Sequence, residues 1–174
     1  VEEGIVDLDN DHFYDAGSVK VDGSTLRCWK AGGHGDQTFL EVLQNSCNPG
    51  FVKLGQKLGK NKLFGYIRQF GFGSKTGIDL NGESTGIIFD LDRVGNVELA
   101  TTAFGQGVSV TPIQQVSAVS SVVNGGYLYQ PYIVKSISES ETNNIIKQNQ
   151  TTKVRKVVSN ETSIIMRRAL ESVV

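Results

Sequence analysis

Cysteine, proline, methionine and tryptophan are scarce in this chain, with two, three, one and one in 174 residues. Two cysteines cannot build a disulfide-dense scaffold. Three prolines exclude a polyproline or collagen-type rod. No apolar run approaches the roughly 20 residues that a membrane-crossing helix needs. A surplus of one charge is missing as well. Lys and Arg number 17 against 18 Asp and Glu, a formal net charge of -1, so nothing here supplies the electrostatic footprint of a nucleic-acid binder. What the chain does have is glycine, 20 in all, and a hydrophobic share of 39%, enough to fill the core of one domain.

The sequence opens Val1-Glu2-Glu3-Gly4-Ile5 with no Met and no signal-peptide pattern, and Met166 to Val174 continues a helical pattern without a Gly or Pro stop. Both ends lead us to expect an internal piece of a longer protein, 1–174 forming part of a single domain. Ser18-Val19-Lys20-Val21 and Thr25-Leu26-Arg27-Cys28-Trp29 flank Asp22-Gly23, the signature of a tight hairpin. Asp36 is placed to cap a short helix carrying Phe39, Leu40, Val42 and Leu43. Pro49 suits the first turn of a second helix, with Phe51, Val52, Leu54 and Leu58 at helical spacing, and Asn61 suits the cap of a third that stops at Gly71 and Gly73. Residues 96–104 read as a short helix. Thr111-Pro112 announces a stronger one over 113–123, whose Val116, Ala118, Val119, Val122 and Val123 make it a candidate central element. Tyr132 to Ile137 alternates like a strand, Val154 to Val158 reads as another, and Ser159 caps a last helix.

Gly71-Phe72-Gly73-Ser74-Lys75-Thr76-Gly77 has the look of a phosphate loop, but Ser74 separates glycine from lysine and no hydrophobic strand leads in, so it reads as a loop that ends a helix. Ser46-Cys47-Asn48 is more informative. In an extended turn Ser46 and Asn48 project to one side and Cys47 to the other. One side then carries a hydroxyl able to relay a proton and an amide able to hold a carbonyl. An ordinary helix start is the plain alternative, because serine and asparagine both cap well.

The neighbours of that turn form an ordered series: Cys28-Trp29, Gly32-Gly33-His34-Gly35, Gln44 to Phe51, Phe70-Gly71-Phe72-Gly73, Thr76 to Glu83, Ala103-Phe104-Gly105-Gln106-Gly107, and Val110-Thr111-Pro112-Ile113-Gln114. The series closely resembles the transpeptidase domain of class B penicillin-binding proteins, and within it the clostridial sporulation type. The resemblance implies a serine enzyme that is acylated by the D-Ala-D-Ala end of a peptidoglycan stem peptide, or by a β-lactam, through Ser-x-x-Lys, Ser-x-Asn and Lys-Thr-Gly motifs. Only the second maps here, with Ser46 as proton relay and Asn48 holding the substrate amide and the catalytic lysine. None of the eleven lysines has Ser three positions earlier. Val1 to Val6 resembles the segment just after the nucleophile's helix, so the nucleophile is expected upstream of it. The last helix resembles the one before the Lys-Thr-Gly strand, which is expected after Val174. Lys75-Thr76-Gly77 matches the letters of that motif but resembles a structural loop.

The implied fold is α/β (α+β), the mainly helical part of a penicillin-recognising transpeptidase domain that lacks most of the central antiparallel sheet. The resemblance also implies the extracytoplasmic face of a membrane-anchored parent, with cell-wall synthesis proteins as partners. A piece without the nucleophile should be inactive alone. A carboxypeptidase or β-lactamase of the same superfamily is disfavoured, because the loops at 72–83 and 103–114 resemble the class B pattern.

Metal chemistry is the second candidate. Cys28, His34, Cys47 and Asp15 together offer the donors of a closed, structural Zn²⁺ site. If Ser46 and Asn48 face a cleft, Cys47 points back toward the loop carrying Cys28 and His34, where a metal would pin the turn from behind. Asp15 is the weakest member, with His12 or water as its substitute. A Cys28–Cys47 disulfide and two unlinked thiols stay open as readings. A non-catalytic zinc-stabilised scaffold or regulatory module is the alternative function.

Overall fold

The computed structural model describes residues 1–173. Its strands pair only two by two among the described residues, and helices supply the rest of the framework. This agrees with an α+β piece that carries little sheet. No helix there is long and apolar enough to cross a membrane.

The first pairing brings β1 (His12–Asp15) against β4 (Gly35–Thr38), Asp15 opposite Gly35. Sequence reading misses it because Gly-Asp-Gln-Thr has no apolar alternation and opens with two residues disfavoured in strands. Between them β2 (Ser18–Val21) and β3 (Ser24–Arg27) form the expected hairpin, with Asp22 and Gly23 both at positive φ as a two-residue turn demands. Thr38, and not the expected Asp36, caps α1 (Phe39–Gln44). Its hydroxyl accepts from the Glu41 N–H while the Glu41 carboxylate accepts from the Thr38 N–H. Asp36 is held in β4 and pairs with exposed His12 at 3.1 Å.

α2 (Asn48–Leu58) has Pro49 in its first turn and crosses α4 (Asn96–Ala103) closely. A Cβ on Gly55 would lie 2.5 Å from the Ala103 methyl, so glycine is what lets the two helices approach. α3 (Lys60–Gln69) starts from Gly59, not from an Asn61 cap. The core is spread over small clusters. Leu8, Phe39, Val42, Cys47 and Ala169 form one, Val21, Val52 and Ala100 a second, and Phe64, Val94 and Leu99 a third.

α5 (Pro112–Val123) is capped by Thr111 as expected, but its buried stripe is Gln114, Ala118 and Ser121, spaced i, i+4, i+7. The Gln114 amide explains this choice, since it donates to the Ser74 and Thr85 carbonyls and accepts from the Thr111 N–H, tying the 72–85 loop to the helix. Val116 and Val119 face outward, 60% and 44% exposed.

Beyond α5, β5 (Tyr127–Gln130) pairs with β8 (Thr152–Lys156) and β6 (Ser136–Ser138) with β7 (Ile145–Gln148). The strand expected at 132–137 is broken because the Ile133 and Val134 N–H groups donate to the Asp79 carboxylate at 2.8 and 2.9 Å instead of to a ladder. Ser159 caps α6 (Asn160–Glu171) with its hydroxyl.

The outward valines of α5 lead to a measurable consequence. The 174-residue chain should self-associate as concentration rises, and Val116→Lys with Val119→Glu should return it toward monomer in static light scattering.

Candidate active-site turn and metal cluster

Ser46 ends α1 in a Schellman arrangement. The Cys47 N–H donates to the Val42 carbonyl at 3.0 Å and the Ser46 N–H to the Leu43 carbonyl at 3.1 Å. In this motif the residue after the cap must be left-handed, a place usually held by glycine, and Ser46 occupies it at φ 48°. A side chain there costs about 1–2 kcal/mol relative to ordinary backbone. Ser46 is exposed, Cys47 is fully buried and Asn48 half-buried, so the two polar residues flank an inward-turned cysteine. Asn48 Nδ2 donates to the Arg27 carbonyl at 3.2 Å. Behind it the Asn45 amide donates to Gln37 Oε1 at 3.0 Å.

Cys47 turns into a cluster that Asp15, Cys28 and His34 complete, their candidate donor atoms all within 4.8 Å of one another. Asp15 is the hub, 1% exposed at the end of β1. Its Oδ1 accepts from the Gly17 N–H at 2.8 Å. Its Oδ2 meets the His34 N–H at 3.0 Å, His34 Nδ1 at 3.0 Å and the Cys47 thiol at 3.3 Å. Cys28 Sγ lies 3.3 Å from His34 Nδ1. Gly33 makes the loop possible. Its φ is 80°, and a Cβ there would fall 2.2 Å from the Asp15 carbonyl oxygen. His12, the substitute ligand considered for Asp15, is exposed and bonded to Asp36, and takes no part. The two cysteines are free thiols.

The electrostatics of the cluster are those of a carboxylate among protons. Burial alone would raise the Asp15 carboxyl, but hydrogen bonds from Cys28, Gly17, His34 and Cys47 win and hold it well below the usual carboxylate range. Burial, with the Asp15 charge beside it, pushes the Cys47 thiol up to about 12. The same two causes raise Cys28. The donor set fits a structural zinc ion. Two sulfurs, one imidazole nitrogen and one carboxylate oxygen suit its chemistry, and tetrahedral bonds of about 2.0–2.3 Å need neighbouring ligands roughly 3.3–3.8 Å apart, a spacing that donors lying within 4.8 Å of one another can reach by small side-chain shifts. His34 Nε2 is buried and without a hydrogen-bond partner, which leaves Nδ1 as the nitrogen engaged by the cluster.

Lys75-Thr76-Gly77 lies in an irregular loop, where the Glu83 carboxylate accepts from the Thr76 N–H and hydroxyl and from the Gly77 N–H. Asp79 and Glu83 thus bind backbone and loop rather than face one another as an acid pair. Sequence reading assigns no role to Trp29, whose Nε1–H donates to the Asn45 carbonyl at 2.8 Å, or to the Arg27 carbonyl that receives Asn48. A lone tryptophan is the only available signal for the first, and a backbone acceptor leaves no signal at all.

A helical framework with small two-stranded sheets superposes on solved penicillin-binding protein transpeptidase domains, which sets the class of this fold. The chain belongs to the penicillin-binding protein transpeptidase domain family, whose model matches residues 1–174. It is 64% identical to stage V sporulation protein D of Bacillus subtilis over 174 residues, all of this chain and 27% of that protein. With penicillin-binding protein PbpB of Mycobacterium tuberculosis it shares 30% identity over 161 residues, 91% of this chain and 23% of that one. The chain spans about a quarter of the length of these relatives. The crystal structure of penicillin-binding protein 3 from Mycobacterium tuberculosis complexed with aztreonam superposes with a TM-score of 0.88 at 28% identity, over 99% of this chain and 38% of that one. A peptidoglycan synthetase from Bifidobacterium adolescentis superposes at 0.87 with 30% identity, over 99% and 31%.

The strain at position 46 separates fold from chemistry. Ser46→Gly should raise stability by up to about 1 kcal/mol in denaturant unfolding, because glycine takes the left-handed position without a Cβ penalty. A loss of stability would show that Ser46 is held by contacts outside the Schellman turn.

Proposed function

We propose that this chain is an internal piece of a peptidoglycan D,D-transpeptidase, a serine enzyme of the extracytoplasmic face that cross-links stem peptides ending in D-Ala-D-Ala and is acylated by β-lactams. The observation that carries this reading is the Ser46-Cys47-Asn48 turn, with serine outward in a strained conformation and cysteine locked behind it. In this reading the nucleophile and its lysine, and the Lys-Thr-Gly strand, belong to parts of the parent outside this chain. The acyl-enzyme forms when the nucleophile's oxygen attacks the penultimate carbonyl of the stem peptide and the terminal D-Ala nitrogen leaves. Ser46 passes the nucleophile's proton toward that nitrogen. Asn48 holds the substrate amide and the lysine through its side-chain carbonyl and amide. The contact of Asn48 with the Arg27 carbonyl sets the plane of its side chain and directs the other half of the amide away from β3.

Asp15, Cys28, His34 and Cys47 would hold a structural Zn²⁺, which supplies a crosslink between the 28–34 loop and the catalytic turn. The buried Cys47 is the residue through which that crosslink reaches Ser46. A free-standing zinc scaffold shares the four donors but has no use for a strained, exposed serine.

Two measurements test these assignments. A fluorescent penicillin should leave no covalent, heat-stable band on the 174 residues alone. In the full-length parent, Ser46→Ala should lower acylation by roughly a hundredfold or more, in line with loss of a general acid–base group, while metal content stays unchanged. Intact acylation would remove the transpeptidase role of this turn. For the metal, uptake of Zn²⁺ should release on the order of two protons as the two thiols ionise, read by calorimetry in buffers of different ionisation enthalpy. Because the thiols sit above their ordinary values, apparent affinity should rise with pH through neutrality. A pH-independent affinity would exclude thiolate ligation.

A further inference from the structure

We propose that Trp29 is a positioning residue for the Ser46 turn, clamping it from outside and coupling it to the His34 cluster; the inference rests on the reading of Ser46 as the proton-relay hydroxyl. Trp29 is the only tryptophan of the chain and is 67% exposed. Burial therefore does little to hold the indole, and two directed contacts fix it. Its Nε1–H donates to the Asn45 carbonyl at 2.8 Å, and its ring stands edge-on to His34 with centroids 5.3 Å apart and planes at 68°.

The carbonyl it engages is decisive. Asn45 is the C-cap of α1, and its oxygen lies beyond the reach of intrahelical N–H donors. It also belongs to the peptide unit that joins Asn45 to Ser46. Relaxing Ser46 out of its left-handed conformation rotates that peptide and pulls the oxygen off the indole. The hydrogen bond therefore resists the motion that backbone strain favours. On the inner side Cys47 is held by Asp15. The two grips are joined through His34, which touches the indole on one side and Asp15 and Cys28 on the other. The orientation that the donor cluster gives His34 thus sets where Trp29 sits, and Trp29 sets where the Asn45–Ser46 peptide points.

The test uses the full-length parent carrying Trp29→Phe, which keeps a ring against His34 and deletes the N–H, beside wild type and Ser46→Ala. Acylation by a fluorescent penicillin is followed over a range of concentrations, so that noncovalent affinity and the acylation rate constant separate. Amide exchange of the peptide spanning Asn45 to Asn48 is followed by mass spectrometry. The acylation rate constant should fall roughly five- to tenfold, about the worth of one positioning hydrogen bond. Noncovalent affinity, bound Zn²⁺ and the thermal midpoint should hold, while the Ser46 and Cys47 amides exchange faster. Wild-type acylation together with wild-type exchange overturns the proposal. If Ser46→Ala also acylates normally, the relay reading has failed on its own account and exchange alone decides: faster exchange upholds the clamp and unchanged exchange sinks it. Should Trp29→Phe lower the thermal midpoint, wild type stripped of metal by a chelator gives a second reading. Coupling requires the Ser46 amide to exchange faster on chelation, and an unchanged rate overturns it.

Discussion

The Asp15 carboxylate holds together three stretches of chain: the β1–β2 connection through the Gly17 N–H, the 28–34 loop through His34, and the α1–α2 junction through Cys47. A buried carboxylate is stable only when its lone pairs are met. Here four donors meet them, which is why the group stays ionised against the pull of burial. The β1–β4 pairing, the glycine at position 33 and the inward turn of Cys47 all serve to bring donors to that one oxygen pair. Without it the loop carrying Trp29 and His34 would have little hydrophobic reason to lie where it does.

The turn it supports illustrates a common trade between stability and chemistry. A Schellman stop favours glycine, whereas the proton relay proposed for Ser46 needs a hydroxyl. The conflict is resolved by surroundings that over-determine the backbone. Two capping hydrogen bonds, the packing of Cys47 beside Val42 in the first core cluster, and the side-chain contacts of Asn45 and Asn48 all act on a span of four residues. Elsewhere the same economy recurs in loops with little apolar content. Gln114 fastens the 72–85 segment, Glu83 closes the Lys75-Thr76-Gly77 loop, and Asp79 grips the waist of the β5–β8 and β6–β7 ribbon. Each is a side chain satisfying backbone groups that no sheet is present to satisfy.

Local chemistry is legible wherever one residue acts on its immediate neighbours. The Asp22-Gly23 turn, Pro49 at the start of α2, Thr111-Pro112 before α5 and Ser159 before α6 all obey short-range rules of turns and caps. Legibility fails where a distant partner competes. Thr38 displaces Asp36 as a cap because β4 carries the chain in extended form through Thr38, so that α1 begins only at Phe39. Val116 and Val119 lose the buried face of α5 to Gln114, whose amide is needed by a loop far away in sequence. Ile133 and Val134 lose their ladder to a carboxylate more than fifty positions earlier.

By itself the sequence determined the family, the α+β class, the positions of most helix starts, and the set of residues with chemistry to offer. It could do so because motif order and capping are properties of neighbouring residues. Only the tertiary structure decided that Asp15, Cys28, His34 and Cys47 meet at one point, that Ser46 carries backbone strain, and that a tryptophan reaches from one loop to the carbonyl beside it. Those facts depend on the pairing of β1 with β4. That pairing depends on β4, a strand of weak propensity, and is stabilised by the contacts it creates, so no local pattern announces it.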